Sequence, residues 1–500
     1  VKHGWVRELL GWLGAAAIAV IVTGQVASTA RGDLLLRDSD SLVVPMFVRS
    51  ILEGQGVDWA MSTVLFLPES AVFALLRLAL PLGIDALLLV NAIVNVIALY
   101  GAVRLVAGRR RAGRAPVAWS LAAIAVFGVI AATETSASRD SAELASLLLT
   151  TTYYSATVIA MLASVGIARR VCDRSGRQRG MLIALGAVAA AATLSNPLYL
   201  VWTTVPLGAI LGFAALRAHD RGRMLSLFWW LVGGTIAGLL GRIPLAAWIE
   251  NSGLGYAKPQ LWPESAASYG ELVLERLSTP LGWIGGVVLA ALVVLAIRRT
   301  MRASSRAERL VAASAWVLPL LVAIGAIALG TNAARYLEPV VFAPLLVLVA
   351  DPKRPTRLSP AVARVSTAVV AVLLLVGAGL SVPRVAQAAT SPDADLACIV
   401  DWVDESDQVG AGQFWTVRLP KLHLEDPTRL VQVDHQLNGY EWLVNRRDFD
   451  STAVTFLIVD AETQSWELSL GAMQVNVVEC GRYAIYDFAP EEVPLGFPHS

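Results

Sequence analysis

Apolar runs of bilayer length recur along most of this chain, and they constrain its fold more than any other feature. They lie near residues 9–29, 84–106, 117–134, 146–168, 180–195, 197–216, 224–247, 281–298, 309–330, 336–350 and 361–383. A helix of roughly 20 apolar residues crosses the hydrocarbon core of a membrane. Inside that core every backbone polar group needs a partner within the protein, so helices are the natural spanning form. The whole chain is 56% hydrophobic and 16% charged, against about 25% charged for a typical soluble domain. The expected fold is therefore an all-α polytopic membrane domain of about 11 transmembrane helices over residues 1–383. The first run follows Lys2 and Arg7 in the manner of a signal peptide, but its length and the many later runs favour an uncleaved first helix. A net charge of +1 gives no reason to expect a nucleic-acid partner.

Positive charge is segregated rather than abundant. One set of connections holds Arg104, Arg109, Arg110, Arg111 and Arg114, then Arg169, Arg170, Arg174, Arg177 and Arg179, then Arg217, Arg221 and Arg223. The same set continues with Arg298, Arg299, Arg302, Arg306 and Arg309, and with Lys353, Arg354 and Arg357. The alternate connections are poorer in Lys and Arg and richer in Asp and Glu. The positive-inside rule puts the basic set in the cytoplasm. The N-terminus is then inside, the chain beyond residue 383 outside, and the number of crossings odd. The expected location is the bacterial plasma membrane, multi-pass.

Two outer connections exceed a turn, 30–68 and 248–280; the second holds Tyr256, Lys258, Trp262, Glu264 and Tyr269. The stretch 71–80, opened by Pro68-Glu69 and stopped by Pro81, reads as a helix too short to cross. It lies at the interface or merges into a bent second span. From 384 to 500 the long apolar runs stop and charge returns, which predicts a small extracytoplasmic α/β domain. Helices are expected at 396–405 and 412–423, and strands at 430–433, 454–459, 473–479 and 482–488. Cys480-Gly481-Arg482 reads as the turn between the last two strands. Of three cysteines, Cys172 falls in a basic connection. Cys398 and Cys480 either bridge in an oxidising exterior or stay as buried thiols. No spacing suggests zinc.

Asp33, Asp38 and Asp40 follow the first run directly and would sit at the outer membrane face. Alternate residues share a side only in extended backbone. An extended Asp38-Ser39-Asp40 can therefore converge on one substrate or one divalent cation, whereas a helical one diverges. The plainer reading is solvated acids capping a helix at Ser41. Arg335, followed by Tyr336, stands at the outer end of the ninth run, where a guanidinium either binds phosphate or pairs with Glu338. Ser195-Asn196-Pro197 reads as a tight turn. Arg242 and Lys258 add positive charge to the outer face, and Arg139 with Asp140 reads as a surface ion pair. Asn91 and Asn95, one helical turn apart, are expected to bridge helices. No row of charges marks an ion path, and no HExxH, GxSxG or P-loop pattern occurs.

Taken in order, Asp38-Ser39-Asp40, Trp59, Phe66-Leu67-Pro68-Glu69, Ser195-Asn196-Pro197, Arg335-Tyr336 and Gly412-Gln413-Phe414-Trp415 resemble the GT-C class of polytopic membrane glycosyltransferases, in particular its bacterial branches. The resemblance covers most of the chain in architecture and only short stretches in motif. It implies sugar transfer from a polyprenyl-phosphate carrier to a glycan, lipid or protein acceptor. Asp38 or Asp40 would be the base or a ligand of a divalent cation (Mg or Mn). Arg335 would hold the donor phosphate, with Tyr336, Arg242 and Lys258 as further substrate contacts. The chain lacks the Trp-Trp-Asp-type motif of oligosaccharyltransferases and the adjacent Asp-Glu pair of protein mannosyltransferases. The alternative is a non-catalytic envelope protein or a lipid-glycan flippase or transporter.

Overall fold

The structure, a computed structural model, describes residues 4–173, 176, 178–217, 221–250, 258–354, 359–467 and 475–500. Arg174, Arg177, Tyr256, Arg357 and Met473 lie outside the described residues. The helices, in chain order, are α1 Gly4–Ala27, α2 Arg31–Leu36, α3 Val43–Leu52, α4 Leu67–Ala79, α5 Ile84–Val106, α6 Pro116–Ala132, α7 Ser155–Cys172, α8 Arg179–Ser195 and α9 Val205–Arg217. They continue as α10 Arg221–Gly241, α11 Trp262–Leu277, α12 Pro280–Arg302, α13 Arg306–Ala328, α14 Pro339–Phe342, α15 Leu346–Ala350, α16 Pro360–Thr390, α17 Ala394–Ser406 and α18 Phe414–His423. Among the described residues, eight helices are long and apolar enough to cross a membrane. The apolar α3, α6 and α8 are shorter.

Local chemistry sets the ends of these helices. Thr279 caps α12 by accepting from the Gly282 N–H at 3.0 Å. Ser305 caps α13 by accepting from the Glu308 N–H at 3.2 Å, while Glu308 accepts from the Ser304 N–H at 3.1 Å. This is a reciprocal arrangement of the capping-box kind. α4 begins with Pro68 and Glu69 in its first turn, as expected of 71–80. α8 and α10 meet backbone to backbone at Gly186 and Gly234, where a Cβ on Gly234 would collide with the Gly186 carbonyl. Small residues at such crossings let apolar helices approach closely.

The basic connections gather at one end of the bundle. Arg104 pairs with Glu8, Arg110 donates to the Gly4 carbonyl at 2.8 Å, and Arg111 to the Asp173 carbonyl at 3.1 Å. Arg354 N–H donates to the Gly113 carbonyl at 2.8 Å. Two of the apolar runs differ from the helices expected there. Residues 146–168 open as a short 3-10 turn, Ser146–Leu149, then pass through bends at 150–154 before α7 begins. Asn95 holds that irregular piece by donating to the Leu148 and Thr150 carbonyls at 3.0 and 3.1 Å, so it bridges a helix to a loop. Residues 336–350 are not one helix but α14, a turn and α15. Pro339 and Pro344 each remove a donor there. Side chains satisfy the freed carbonyls: Trp202 Nε1 reaches Tyr336 O at 3.0 Å, Arg299 reaches Val347 O at 2.9 Å and Arg169 reaches Val349 O at 2.6 Å.

At the opposite end, the first long loop and residues 133–154 are fastened by Arg31. Its guanidinium is buried and donates to Ser146 Oγ at 2.9 Å and to the carbonyls of Ser138 at 2.8 Å, Ser136 at 3.1 Å and Glu143 at 2.6 Å. Glu134 accepts from the Ala145 and Ser146 N–H groups at 2.8 and 2.7 Å, and the Glu143 carboxylate pairs with Arg276.

The strands are β1 Trp59–Ala60, β2 Gly410–Gln413, β3 Leu430–Val433, β4 Asn438–Tyr440, β5 Val444–Asn445, β6 Ala453–Val454, β7 Phe456–Val459, β8 Asn476–Cys480, β9 Tyr483–Asp487, β10 Val493–Pro494 and β11 Gly496–His499. A mixed sheet runs β11-β4-β3-β2-β7-β9-β8, with β2 parallel to both β3 and β7. The expected helix 412–423 starts two residues late, because Gly412 and Gln413 belong to the central strand β2. Gly481 turns β8 into β9 at φ +65°, and Cys398 and Cys480 are disulfide-bonded. The sheet domain docks on the first loop. β1 pairs antiparallel with β5, Arg446 pairs with Asp58 at 2.8 Å, and Arg49 donates to the Leu422, Leu424 and Glu425 carbonyls at 2.8–2.9 Å.

Removing one partner of a buried, hydrogen-bonded ion network costs about 3–5 kcal/mol. Arg31→Ala should therefore lower the midpoint of thermal unfolding in detergent far more than Arg37→Ala, whose exposed guanidinium pairs with Asp33 and Asp393 at the surface. Equal shifts would show that the Arg31 network does not hold the loops.

Candidate functional site

α2 stops at Leu36, and residues 37–42 turn before α3 begins. Two threonines hold that turn by its backbone, and the turn's own Ser39 side chain ties it to the sheet domain. Thr151 Oγ1 donates to Ser41 O at 2.5 Å, Thr152 Oγ1 donates to Asp40 O at 2.7 Å, and Ser39 Oγ donates to Trp415 O at 2.9 Å. Asp38 and Asp40 sit in this turn, neither extended nor helical, and they find different surroundings.

Asp38 is 4% exposed at its side chain. It accepts from the Ser41 N–H at 3.1 Å, from Ser41 Oγ at 3.3 Å and from the Tyr153 hydroxyl at 3.0 Å, and lies 3.6 Å from Arg139 Nη1. The acid thus caps the turn at Ser41 as in the plainer reading, but from a buried position rather than a solvated one. Burial first and the Asp40 charge second raise its pKa from 3.8 to about 6, with Arg139, Tyr153 and Ser41 opposing.

Asp40 is half-buried. Among the described residues its carboxylate has no hydrogen bond or ion pair, yet its charge acts on Arg335, Arg418, Tyr154 and Tyr440. Arg335, on the 3-10 turn Ala334–Leu337, lies 3.9 Å from Asp140 and 5.8 Å from the Tyr153 ring centre. Its direct ion pair is with Asp140 rather than Glu338. Tyr336 stacks on Tyr154 with ring centres 6.5 Å apart. The structure thus brings Asp38, Asp40, Arg335 and Tyr336 together at the loop end of the bundle.

Arg242 and Lys258 lie apart from this group. Arg242 donates to the Leu194 carbonyl at 2.7 Å and the Thr63 carbonyl at 2.6 Å, clamping the first loop to the end of α8. Lys258 is exposed, and its N–H donates to Leu329 O at 3.1 Å. Asn196 makes the expected turn, donating to Thr157 Oγ1 and accepting from the Leu198 N–H, both at 3.0 Å.

Four residues at the site were not singled out as ligands by the sequence. Arg139 makes the expected pair with the exposed Asp140 at 4.0 Å, and its guanidinium also lies 3.5 Å over the Trp415 ring while facing Asp38. Tyr153 donates to Asp38 from the bent segment before α7. Arg418 and Tyr440 come from the sheet domain. The helical spacing of Phe414, Trp415 and Arg418 carries a signal for one of them, since residues three and four apart share a helix face. Further in, Glu338 is fully buried with neither carboxylate oxygen hydrogen-bonded, and Glu69 accepts at 3.3 Å from the Ala156 N–H with its other oxygen unpartnered.

The acid pair does not fit a divalent cation in this geometry. Hydroxyl, N–H and guanidinium donors take up Asp38, and the positive charges of Arg335 and Arg418 already act on Asp40. Oxygen-only coordination of such ions needs several anionic or neutral acceptors. In comparisons with known proteins, the chain matches no family model and no curated protein.

For Asp38 the folded pKa lies above the unfolded one, so the folded state binds the proton more tightly. This group therefore favours folding below about pH 4, and that contribution fades as pH rises to about 6. Asp38→Asn keeps an acceptor for Ser41 and Tyr153 and removes the titration. The stability of wild type relative to Asp38→Asn should fall between pH 4 and pH 6 and level off above, read from thermal unfolding in detergent across that range. A pH-independent difference would contradict the buried placement of Asp38.

Proposed function

We propose that this chain is a membrane glycosyltransferase of the GT-C kind. It would move a sugar from a polyprenyl-phosphate donor to an extracytoplasmic glycan, lipid or protein acceptor. The observation that carries the reading is the Asp40 carboxylate: half-buried, without a hydrogen bond of its own among the described residues, and facing cationic and phenolic side chains at the end of the bundle opposite the arginine-rich connections. The proposed topology has eleven crossings, made by the eight long helices, α6, α8 and the irregular stretch 334–350. The N-terminus is cytoplasmic and the sheet domain lies outside the bacterial plasma membrane. The Cys398–Cys480 disulfide suits an oxidising exterior.

In this mechanism Asp40 is the base. The acceptor hydroxyl gives its proton to the Asp40 carboxylate as its oxygen attacks the anomeric carbon. The bond from that carbon to the phosphate oxygen breaks, and the leaving polyprenyl phosphate keeps the electron pair and gains a negative charge, which Arg335 stabilises. The configuration inverts. Asp38 positions the turn and does not act on substrate, because its oxygens already hold Ser41, Tyr153 and Arg139. A second reading, a lipid-glycan flippase, draws on the buried and unpartnered Glu338 and Glu69, since ionisable residues within a bundle mark transport paths.

Asp40→Asn should lower sugar transfer from radiolabelled polyprenyl-phosphate donor by about 10²-fold or more, with an unchanged unfolding midpoint. Asp38→Asn should retain a larger share of activity. Full transfer by both variants would remove the catalytic assignment. Loss of lipid translocation in Glu338→Gln with Asp40→Asn unaffected would favour the flippase.

A further inference from the structure

The central strand β2 ends at Gln413 and passes straight into α18, so the first turn of that helix lies at the carboxyl end of parallel strands, where ligands bind in α/β sheets. This turn is set against the acidic loop from two directions: Ser39, between the two aspartates, donates to the Trp415 carbonyl, and Arg139 lies over the Trp415 ring while facing Asp38. One helical turn on stands Arg418. Its guanidinium is wholly buried, rests 4.6 Å from the Phe414 ring centre and donates from Nη2 to the Leu443 carbonyl at 2.7 Å. Nε and Nη1 have no hydrogen-bond partner, and among the described residues no carboxylate forms an ion pair with this side chain. A buried cation with free donors is costly until an anion meets it.

We propose that Arg418 is a second oxyanion-binding residue of the Asp40 site, supplied by the sheet domain, and that with Arg335 it holds the phosphate of the lipid-borne donor. This rests on the transferase reading above. The charge arithmetic supports it. Arg139 faces Asp38 and Asp140, and Arg335 faces Asp140, whereas Arg418 has only longer-range carboxylates at Asp40, Asp448 and Asp38. Burial pulls its pKa down to about 10 against the pull of those carboxylates, so the guanidinium stays charged at neutral pH. A phosphate monoester leaving with two negative charges is matched by two guanidinium groups, one from each half of the molecule. Trp415 and Tyr440, both partly buried, pack edge-on against the Phe414 ring beside Arg418.

The test uses the full chain in lipid nanodiscs and measures equilibrium binding of polyprenyl monophosphate, with uncharged polyprenol and inorganic phosphate as the other probes. Wild type should bind polyprenyl monophosphate and not polyprenol. Arg418→Gln and Arg418→Lys should bind about tenfold more weakly or worse, the loss expected for a charge-assisted hydrogen bond. Thermal unfolding in the same nanodiscs shows which variants are folded, and Arg418→Lys, which keeps the buried charge, carries the test if Arg418→Gln does not fold. Wild-type affinity in a folded Arg418→Lys, alongside weakened binding in Arg335→Gln, would overturn the role of Arg418 and leave the donor reading standing. Arg418-dependent binding of inorganic phosphate without binding of the lipid would keep the oxyanion site and overturn its lipid-borne source. A wild type that binds neither phosphate probe would overturn both readings.

Discussion

The candidate site depends first on a guanidinium that touches no substrate in any reading. Arg31 leaves the first helix through a short bend and plants its donors among the carbonyls and hydroxyls of residues 136–146. Those residues continue into the stretch that carries Tyr153, Tyr154 and the threonines gripping the acidic turn. This buried junction ties together two loops from different parts of the chain, beside the direct bonds that Thr151, Thr152 and Tyr153 make to the acidic turn. Asp38, Arg139 and Asp40 keep their relations because both loops are pinned to one side chain and to the carboxylates of Glu134 and Glu143 around it. Fully satisfied polar networks of this kind in an otherwise apolar body fix a unique arrangement.

Much of the helical body was legible because its signals are long and redundant. Ile84–Val106 was bounded correctly by its own run, with Asp85 in the first turn and Arg104 in the last, as the helix dipole favours. The short helix after Pro68-Glu69 and the Gly481 turn were legible for similarly local reasons. What escaped was structure decided by distant partners. Residues 146–154 are apolar enough to read as helix, yet Asn95 and the first loop claim their backbone groups instead. β2, with the sequence Gly-Ala-Gly-Gln, carries no β-branched or aromatic residue, and its last two residues read as the start of the helix expected at 412–423. It is a strand because two flanking strands and the Phe456 ring, which lies where a Gly410 side chain would go, leave room for nothing larger.

The site was half legible. Asp38, Asp40, Arg335 and Tyr336 do come together, but their division of labour comes from the fold. One aspartate is absorbed by a turn, a hydroxyl and a guanidinium; the other is left with its charge available. The partners contributed by the sheet domain lie some 370 residues further along the chain than the acidic turn, a separation that no local pattern records. Arg242, marked as cationic and outer, turns out to act as a carbonyl clamp, since an arginine at a loop junction serves unsatisfied backbone as readily as it serves a ligand.

The broken stretch from 334 to 350 has a further meaning for biogenesis. Its carbonyls rely on Trp202, Arg169 and Arg299, so it could not rest alone in lipid as an ordinary helix does. All three donors precede it in the chain and leave the ribosome earlier. Vectorial synthesis thus delivers the acceptor surface before the dependent segment emerges, and an order of translation is written into which residues hold Arg335 in place.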